Sequence, residues 1–205
     1  MTGTTAAGGL IGRIANPTSS YILENLSNTG DVTAPEAGGI LGRLVLAETK
    51  AAISMGGILQ AGAVTGSSMA GGVIGSITGG SKTYSLNLST AILAGTVSCD
   101  EGGQKGLLTG GSTGGADGTF TATADSACRF ASTTGAAYYD LSNTAQTLSD
   151  LEALPENSLM NKTVLRLLNA YAESKDGLLS WKQAADWPDL FLEEVASKVT
   201  VLILR

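Results

Sequence analysis

A five-residue pattern, two glycines followed by two apolar residues and a third glycine, occurs three times in the first half of the chain. Its copies span residues 8–12, 38–42 and 71–75, so the pattern advances by 30 and then by 33 residues. A Gly-x-Val element follows each copy, at residues 30–32, 62–64 and 95–97. Two motifs that repeat in step with a period of this length are typical of solenoids, in which each repeat forms one coil.

The composition of the repeats favours strands over helices. The chain contains 28 glycines and only 4 prolines, and a glycine inside a helix costs about 1 kcal/mol relative to alanine. The run after the first glycine pair predicts a strand with Leu10, Gly12 and Ile14 on one face and Ile11 and Arg13 on the other. Aligning the Gly-x-Val elements brings apolar residues into two columns, Leu23 with Met55 and Leu88, and Leu26 with Ile58 and Ala91. We therefore predict an all-β fold, a right-handed parallel β-helix whose coils stack equivalent positions.

The repeats weaken after the third copy. Residues 105–108 indicate the start of a fourth copy, and the glycine-rich residues 110–115 that follow predict a flexible excursion. Strand propensity returns at residues 119–124 and 126–131, and residues 138–141 are predicted to form the last strand of that coil. The solenoid domain is therefore expected to span residues 1–141 with about four coils.

The composition changes after residue 141, and residues 142–205 are predicted to form a small α/β cap. We expect the cap to cover the open end of the solenoid, because a terminal coil otherwise exposes apolar surface and unpaired backbone. Its predicted elements are a helical turn at residues 149–154, a helix at 159–174, a strand at 178–182, a turn at Trp187 and Pro188, and a strongly apolar strand at 198–205.

Charge and composition argue against several classes of function. The net charge is −6 and the cationic residues are spread singly, which argues against nucleic acid as a partner. The chain has no histidine, and this excludes histidine-based triads and histidine zinc sites. No run reaches the roughly 18 apolar residues of a membrane helix, so membrane insertion is not expected. The sequence predicts no catalytic residue, no cofactor site and no metal site.

The residues with reactive or recognition chemistry leave alternatives open. Asp100 and Glu101 are adjacent and predict a solvated turn, because neighbouring strand residues point to opposite faces and a glycosidase needs two carboxylates about 5–10 Å apart. Cys99 and Cys128 lie about one repeat apart. They are either two buried thiols or a disulfide between coils.

Five aromatic residues could form a platform for a glycan, but the interpretation that we favour is that they close a core or a cap. These residues are Tyr84, Tyr138, Tyr139, Trp181 and Trp187. The loops at residues 79–83 and 110–118 are the places where a bound ligand is expected. Three matches to the N-glycosylation sequon begin at Asn25, Asn87 and Asn161, and we interpret them as coincidental.

The repeats resemble the GLUG repeat, a family named for its Gly-Leu-apolar-Gly core and found in bacterial surface proteins. Residues 8–34, 38–66 and 71–99 carry the repeat pattern, and residues 138–141, 148–154, 164–170, Trp181 and 187–190 are similar to the elements that close such arrays. The fourth copy lacks the full glycine core, and Trp187 stands where the family has tyrosine. The resemblance implies a β-solenoid displayed outside the cell, without catalytic residues of its own.

The expected function is a non-enzymatic structural or adhesive module of a larger bacterial cell-surface or secreted protein. Its expected partners are a host glycan or protein, or neighbouring domains of the same chain. The residues near Met1 lack the regions of a signal peptide, and a repeat begins almost at once, so we expect the sequence to be a piece of a longer chain. The alternatives are a carbohydrate-active β-helix enzyme and a glycan-binding module without catalysis. The outward faces of the coils should distinguish the three functions. A structural module should show scattered Ser and Thr there, an enzyme a cluster of carboxylates and basic residues, and a glycan-binding module an exposed row of aromatic residues.

Overall fold

The computed structural model describes residues 1–15, 19–46, 50–113, 117–132, 135–149, 151–154, 162–183 and 188–190. Over these residues the chain is mostly β, with parallel sheets stacked as a β-solenoid of about four turns. The predicted fold class is therefore confirmed. A small helix lies in the C-terminal region, as the sequence also predicts.

Three parallel sheets run along the solenoid, and each coil contributes to all three. Sheet A contains β1 (Ala6–Gly8), β4 (Val32–Gly38), β7 (Val64–Gly71), β10 (Val97–Cys99) and β11 (Gln104–Gly106). Sheet B contains β2 (Ile11–Ala15), β5 (Leu41–Val45), β8 (Ile74–Thr78) and β12 (Ser112–Thr113). Sheet C contains β3 (Tyr21–Asn28), β6 (Ala51–Gln60), β9 (Thr83–Leu93), β13 (Thr119–Ala124) and β14 (Arg129–Phe130). Coils 1 to 4 follow one another in this order, with β10 and β11 sharing the place of one strand in coil 4.

The register between coils is the one that the repeats predict. In sheet C, Leu23 pairs with Met55 and Met55 with Leu88, and the column of Leu26, Ile58 and Ala91 is formed in the same way. The valines of the three Gly-x-Val elements pair in sheet A, and the first glycines of the pentapeptides also stack on one another. Gly106 continues that glycine column, which confirms the predicted fourth copy.

The main core lies between sheets B and C. The strands of sheet B do not show the simple alternation of buried and exposed side chains that the sequence predicts. Leu41 and Leu44 are both fully buried although they are three residues apart, and Ile11 and Ile14 of coil 1 pack against the same core. The cause is a break in the ladder, because the registered pairing of β2 and β5 passes over the last glycine of each pentapeptide. Both strands are interrupted at this same glycine without a change of register, and Ile14 and Leu44 beyond it also face the core.

The strands of sheet A fold back on themselves and form a thin arm with its own small core. The pairing of β4 and β7 shifts between Ala34 and Glu36. A Cβ at Gly66 would lie 2.2 Å from the Met69 oxygen, so the outgoing and returning halves of β7 touch each other. Only residues of sheet A form the core of the arm, which consists of Ala7, Val32, Ala34, Ala37, Val64 and Ala70, with Val97 and Cys99 packed against it.

The last glycine of the second and of the third pentapeptide allows sheet B to pack directly on the returning half of the arm. Gly75 lies against the backbone of Ala37, with no room for a side chain between them. Gly42 has the same relation to Ala7 in the coil before. The pentapeptide therefore marks a corner where two backbones approach each other closely.

Coil 4 is more regular than its composition predicts. The expected flexible excursion at residues 110–115 is wrong for its described part, because residues 110–112 are buried and Ser112 and Thr113 form β12 on β8. The backbone N–H of Ser112 donates to Asn143 Oδ1 over 2.9 Å. This later segment orders the glycine-rich stretch.

The segment after coil 4 closes that end of the main core. Residues 136 and 137 accept hydrogen bonds from Leu107 and Leu108, and the chain then forms an antiparallel hairpin of β15 (Tyr138–Tyr139) and β16 (Ala145–Gln146). Of residues 138–141, Tyr138 and Tyr139 form a strand as predicted, but this strand pairs antiparallel with β16 and is not the last strand of coil 4. The helical turn expected at residues 149–154 is wrong, because Ala153 instead forms a parallel bridge with Phe130.

Within the predicted cap, Leu148, Leu151 and Ala153 lie at the coil 4 end of the main core, as expected, whereas the later elements lie on the outer face of sheet C. They are α1 (Lys162–Glu173), which confirms the predicted helix, and the antiparallel strands β17 (Trp181–Gln183) and β18 (Pro188–Leu190). Val164, Leu168 and Trp181 pack on the outward-facing Leu59 and Ile92. Pro188 begins a strand, whereas Trp187 and the apolar strand expected at residues 198–205 lie outside the described residues.

Candidate functional site

Hydroxyl side chains form columns on the outward faces of the sheets. On the arm, Thr33 pairs with Thr65 and Thr65 with Ser98, and Thr2 extends the column by an isolated bridge to Thr33. The Thr65 and Ser98 oxygens lie 3.2 Å apart. Thr33, Thr65 and Ser98 each directly follow the valine of a Gly-x-Val element, a signal that is visible in the sequence.

Sheets B and C carry similar columns. The hydroxyls of Thr78 and Thr113 lie 2.9 Å apart on sheet B. On sheet C, Ser54, Asn87 and Thr123 are in register, and Thr123 donates to the Asn87 side-chain oxygen over 3.1 Å. Neighbouring rungs of such columns are about 4.8 Å apart, the spacing of hydrogen-bonded strands.

A shallow groove of about 270 Å³ runs beside the hydroxyl column of the arm. Thr33, Thr65 and Pro35 line its floor, and Asp100 lies at its end. Hydroxyls and a carboxylate at an open groove are suited to hydrogen bonds with a polar ligand. The groove is the strongest candidate for such contacts on the arm.

Three carboxylates of the described repeat residues, those of Glu36, Asp100 and Glu101, lie in two different environments. Asp100 and Glu101 are exposed in the turn between β10 and β11, as predicted. Glu36 accepts two hydrogen bonds from the Arg43 guanidinium, one of them at 2.6 Å, and a further one from the buried Ser76 hydroxyl. This ion pair holds the corner between sheets A and B, so Glu36 has a structural partner.

The two cysteines are free and lie in different cores. Cys128 is buried in the main core, whereas Cys99 is half-buried at the arm, so the disulfide alternative is wrong. Burial raises the pKa of the Cys128 thiol to about 12, with a smaller contribution from Asp125. Burial also raises the pKa of Cys99, while hydrogen bonds from nearby backbone groups oppose the shift. Within the described ranges, no three potential metal-ligating side chains come together.

We expect iodoacetamide at pH 8 to modify Cys99 at least about tenfold faster than Cys128, because alkylation requires an accessible thiolate. Intact-mass spectrometry of the native chain then shows one adduct, and peptide mapping places it on Cys99. In about 6 M guanidinium chloride, where both thiols are exposed, two adducts form. Equal rates in the native chain would contradict the buried position of Cys128.

Three of the five aromatic residues close cores. Tyr84, Tyr138 and Trp181 are buried, and Phe120 contacts Tyr138 edge to face with the ring centroids 6.1 Å apart. Tyr139 is half-buried, and Trp187 lies outside the described residues. The core interpretation is therefore confirmed for the three buried residues.

A polar network joins the C-terminal elements to the outer face of sheet C. The Trp181 indole N–H donates to Asn25 Oδ1 over 2.9 Å, and Asn25 Nδ2 donates to the Leu179 carbonyl. Asn169 binds both backbone groups of Trp181. Asn25 has a positive φ of 54°, as its counterparts Gly57 and Thr90 do at 61° and 52°. Its side chain is thus used for packing, which agrees with a coincidental sequon.

Tyr171 of α1 occupies space that Gly56 leaves open on β6. Its hydroxyl donates to Glu24 Oε1 over 2.6 Å, and a Cβ on Gly56 would lie 1.9 Å from that hydroxyl oxygen. Burial, followed by the hydrogen bond to Glu24, raises the pKa of Tyr171 well above its ordinary value. The sequence signal is a glycine pair at the place where coils 1 and 3 carry larger polar residues.

We expect Gly56→Ala to push Tyr171 aside and loosen α1, while Ser54→Ala on the same face of β6 leaves α1 in place. Amide exchange in α1 should accelerate about tenfold, the effect of losing about one net hydrogen bond. The folded-state pKa of Tyr171 is raised, so the protonated hydroxyl stabilises the packing of α1 on sheet C fully below the unfolded-state pKa of about 10. This stabilisation falls at higher pH, as the hydroxyl loses its proton. Tyr171→Phe should remove that pH dependence from the exchange of α1.

A cavity of about 400 Å³ lies at the end of the arm in coil 4. Its walls include the apolar side chains of Leu93, Val97, Leu107 and Phe130. Lys105 lies at its edge and is exposed, and among the described residues no carboxylate comes within 4.0 Å of its amine. The described residues of the loops at 79–83 and 110–118, where a ligand was expected, do not line this cavity.

The fold and its surfaces define the class of the molecule as a parallel β-solenoid with hydroxyl columns on its outward faces. Comparisons with models of known families, with curated proteins and with solved structures give no match. In the part of the chain that the structure describes, no helix has both the length and the apolar character needed to cross a membrane.

Proposed function

We propose that the chain is a non-enzymatic structural or adhesive module that presents loops from a stiff β-solenoid. The observation that carries this proposal is the presence of outward columns made of Thr, Ser and Asn, such as Thr33 with Thr65 and Ser98, and Ser54 with Asn87 and Thr123. An enzyme of this architecture would place carboxylates and cations together on one solvent-facing sheet. A glycan platform would place aromatic rings there.

The packing of the coils supports a role in presentation. Apolar columns and backbone ladders join each coil to its neighbours along most of each strand of sheet C. Such a stack keeps its loops at fixed positions along one axis. The proposed location on the bacterial cell surface or outside the cell rests on the resemblance to the GLUG repeat.

The groove on the arm favours a second candidate, a glycan-binding module without catalysis. Its hydroxyl column and Asp100 offer donors and acceptors at a regular spacing, as an extended sugar chain does. Thr65 is the central residue of that column, and it lines the groove. Thr65→Val keeps the shape of the side chain and removes its hydroxyl.

A glycan array and a depolymerisation assay separate the candidates. Binding to the array that Thr65→Val weakens, with Thr78→Val on sheet B as the matched control, would support the glycan-binding module. Absence of binding to the array, with intact polysaccharides after incubation, is the result expected for a presenting module. Release of new reducing ends from any polysaccharide would overturn both proposals.

A further inference from the structure

The arm ends abruptly at coil 4. Ala131 donates to Leu93, and Leu107 donates to Ala136, so these residues mark the same crossing in successive coils. Thirteen residues lie between Leu93 and Leu107 and form the arm of coil 4, whereas only four lie at the next crossing, between Ala131 and Ala136. That crossing is too short to fold an arm of its own.

The end of the arm presents a strand with one free edge. In the described part of the chain, β10 is an edge strand of sheet A, after β1, β4 and β7, and it pairs with β7 alone. Val64 donates to the Thr96 carbonyl, and Asp100 donates to the Gly66 carbonyl. Parallel strands alternate the direction of their backbone groups. The N–H and C=O groups of Val97 and Cys99 therefore point away from β7.

The cavity of about 400 Å³ lies beside this free edge. Its apolar walls can accept a side chain, and Lys105 supplies one positive charge at its rim. A free backbone edge, an apolar cavity and a cation together are the features by which a sheet binds an added strand. A small apolar ligand would use the cavity but would leave the edge unpaired.

We propose that the arm end binds an extended, acidic segment of a partner polypeptide, which adds to sheet A as a strand parallel to β10. The segment places a β-branched residue over Val97 and a carboxylate near Lys105. Its pairing continues the ladder that already joins β1, β4, β7 and β10. Residues 198–205 of this chain do not have the required charge, since a lysine and an arginine stand at their ends.

The partner goes beyond the proposed function, because a module that presents loops needs no bound strand. A suitable probe is the chain's own arm of coil 2 as a synthetic peptide, residues 30–39, GDVTAPEAGG. If the ladder continues, its Val32 lies over Val97, its Ala34 over Cys99 and its Glu36 over Gln104, next to Lys105. We expect saturable binding of the fluorescent probe to the full chain by anisotropy.

The protein variant Lys105→Glu should weaken binding of the probe about three- to tenfold, as expected for reversing one exposed charge pair. The matched protein control is Lys82→Glu, an exposed lysine on another face, which should leave the affinity unchanged. A probe with Val32→Lys should bind at least about tenfold more weakly, because its apolar anchor is lost.

The register is tested by disulfide exchange with Cys99. Two probes carry one cysteine each, Ala34→Cys or Thr33→Cys, as mixed disulfides with 2-mercaptoethanol. The Cys99 thiolate attacks the peptide sulfur and displaces 2-mercaptoethanol. Directly paired residues have a Cα separation that a disulfide can span, so the Ala34→Cys probe should label Cys99 about tenfold more than the Thr33→Cys probe. Cys99→Ser should abolish the labelling.

Three results would overturn the proposal. These are the absence of saturable binding up to about 2 mM probe, equal affinity of the wild-type chain and Lys105→Glu, and equal labelling of Cys99 by the two cysteine probes. Each of them leaves the proposed presenting function untouched, since that function is read from the glycan array and the depolymerisation assay.

Discussion

Gly75→Ala is expected to lower the stability of the solenoid by about 3 kcal/mol or more, the upper range for forcing extra volume into a packed interior. The added Cβ would lie 2.6 Å from the Gly42 carbonyl oxygen and 2.7 Å from the Ala37 carbonyl carbon. Both contacts are with backbone, and neither backbone can move without disturbing the ladder of a neighbouring coil. Urea unfolding followed by circular dichroism measures the loss.

Gly12→Ala is the matched control, because Gly12 is the equivalent glycine of the first pentapeptide. A Cβ at Gly12 meets nothing within 4 Å. Gly12 does not have a positive φ, so alanine can adopt its backbone conformation. We expect the stability to change by about 0.5 kcal/mol or to rise slightly, since alanine restricts the unfolded chain. Equal midpoints for the two variants would contradict the close approach of sheet B to the arm.

Ile40→Ala is expected to cost about 3 kcal/mol, whereas Leu10→Ala is expected to cost about 1 kcal/mol or less. The two residues occupy the same place in successive coils, since the Leu10 N–H donates to the Ile40 carbonyl and the Ile40 N–H to the Val73 carbonyl. Ile40 has no exposed surface because coils lie on both sides of it, but Leu10 is 44% exposed. Urea midpoints of the two variants give the comparison.

Equal losses for Ile40→Ala and Leu10→Ala would mean that another surface covers Leu10 in solution. Sedimentation velocity at several concentrations then shows whether a second copy of the chain provides that surface. A small effect of Leu10→Ala with a concentration-independent monomer would agree with an open first coil. The two variants therefore show whether another surface covers the first coil, and they measure how much the packing of Ile40 contributes to stability.

The sequence was sufficient to predict the coils and their register, because the signals involved are local and repeated. Equivalent positions in a solenoid share one environment, so Leu23, Met55 and Leu88 carry the same type of side chain. The glycine of the fourth copy, Gly106, could be placed in the same way. The helix was also predictable, since its apolar spacing does not depend on where it packs.

The sequence did not predict features that depend on contacts between distant segments. Residues 110–112 have the composition of a flexible loop, but Asn143 and coil 3 order them. The arm was missed because alanines and valines give no sign that a strand folds back on itself. The position of α1 on sheet C depends on Gly56 and Tyr171, which are far apart in the chain. The end of the arm and its cavity arise from a short crossing, and no motif marks that crossing.

The C-terminal elements reach back along the axis of the solenoid. α1 contacts β6 and β9, and β18 contacts β3 of the first coil. Stacked repeats with contacts only between neighbours can fray one unit at a time from an end. Here the first coil cannot peel away without also breaking the link from Trp181 to Asn25. The C-terminal segment therefore couples the unfolding of the first coil to the unfolding of coils 2 and 3. Removing the segment should broaden the unfolding transition into separate steps.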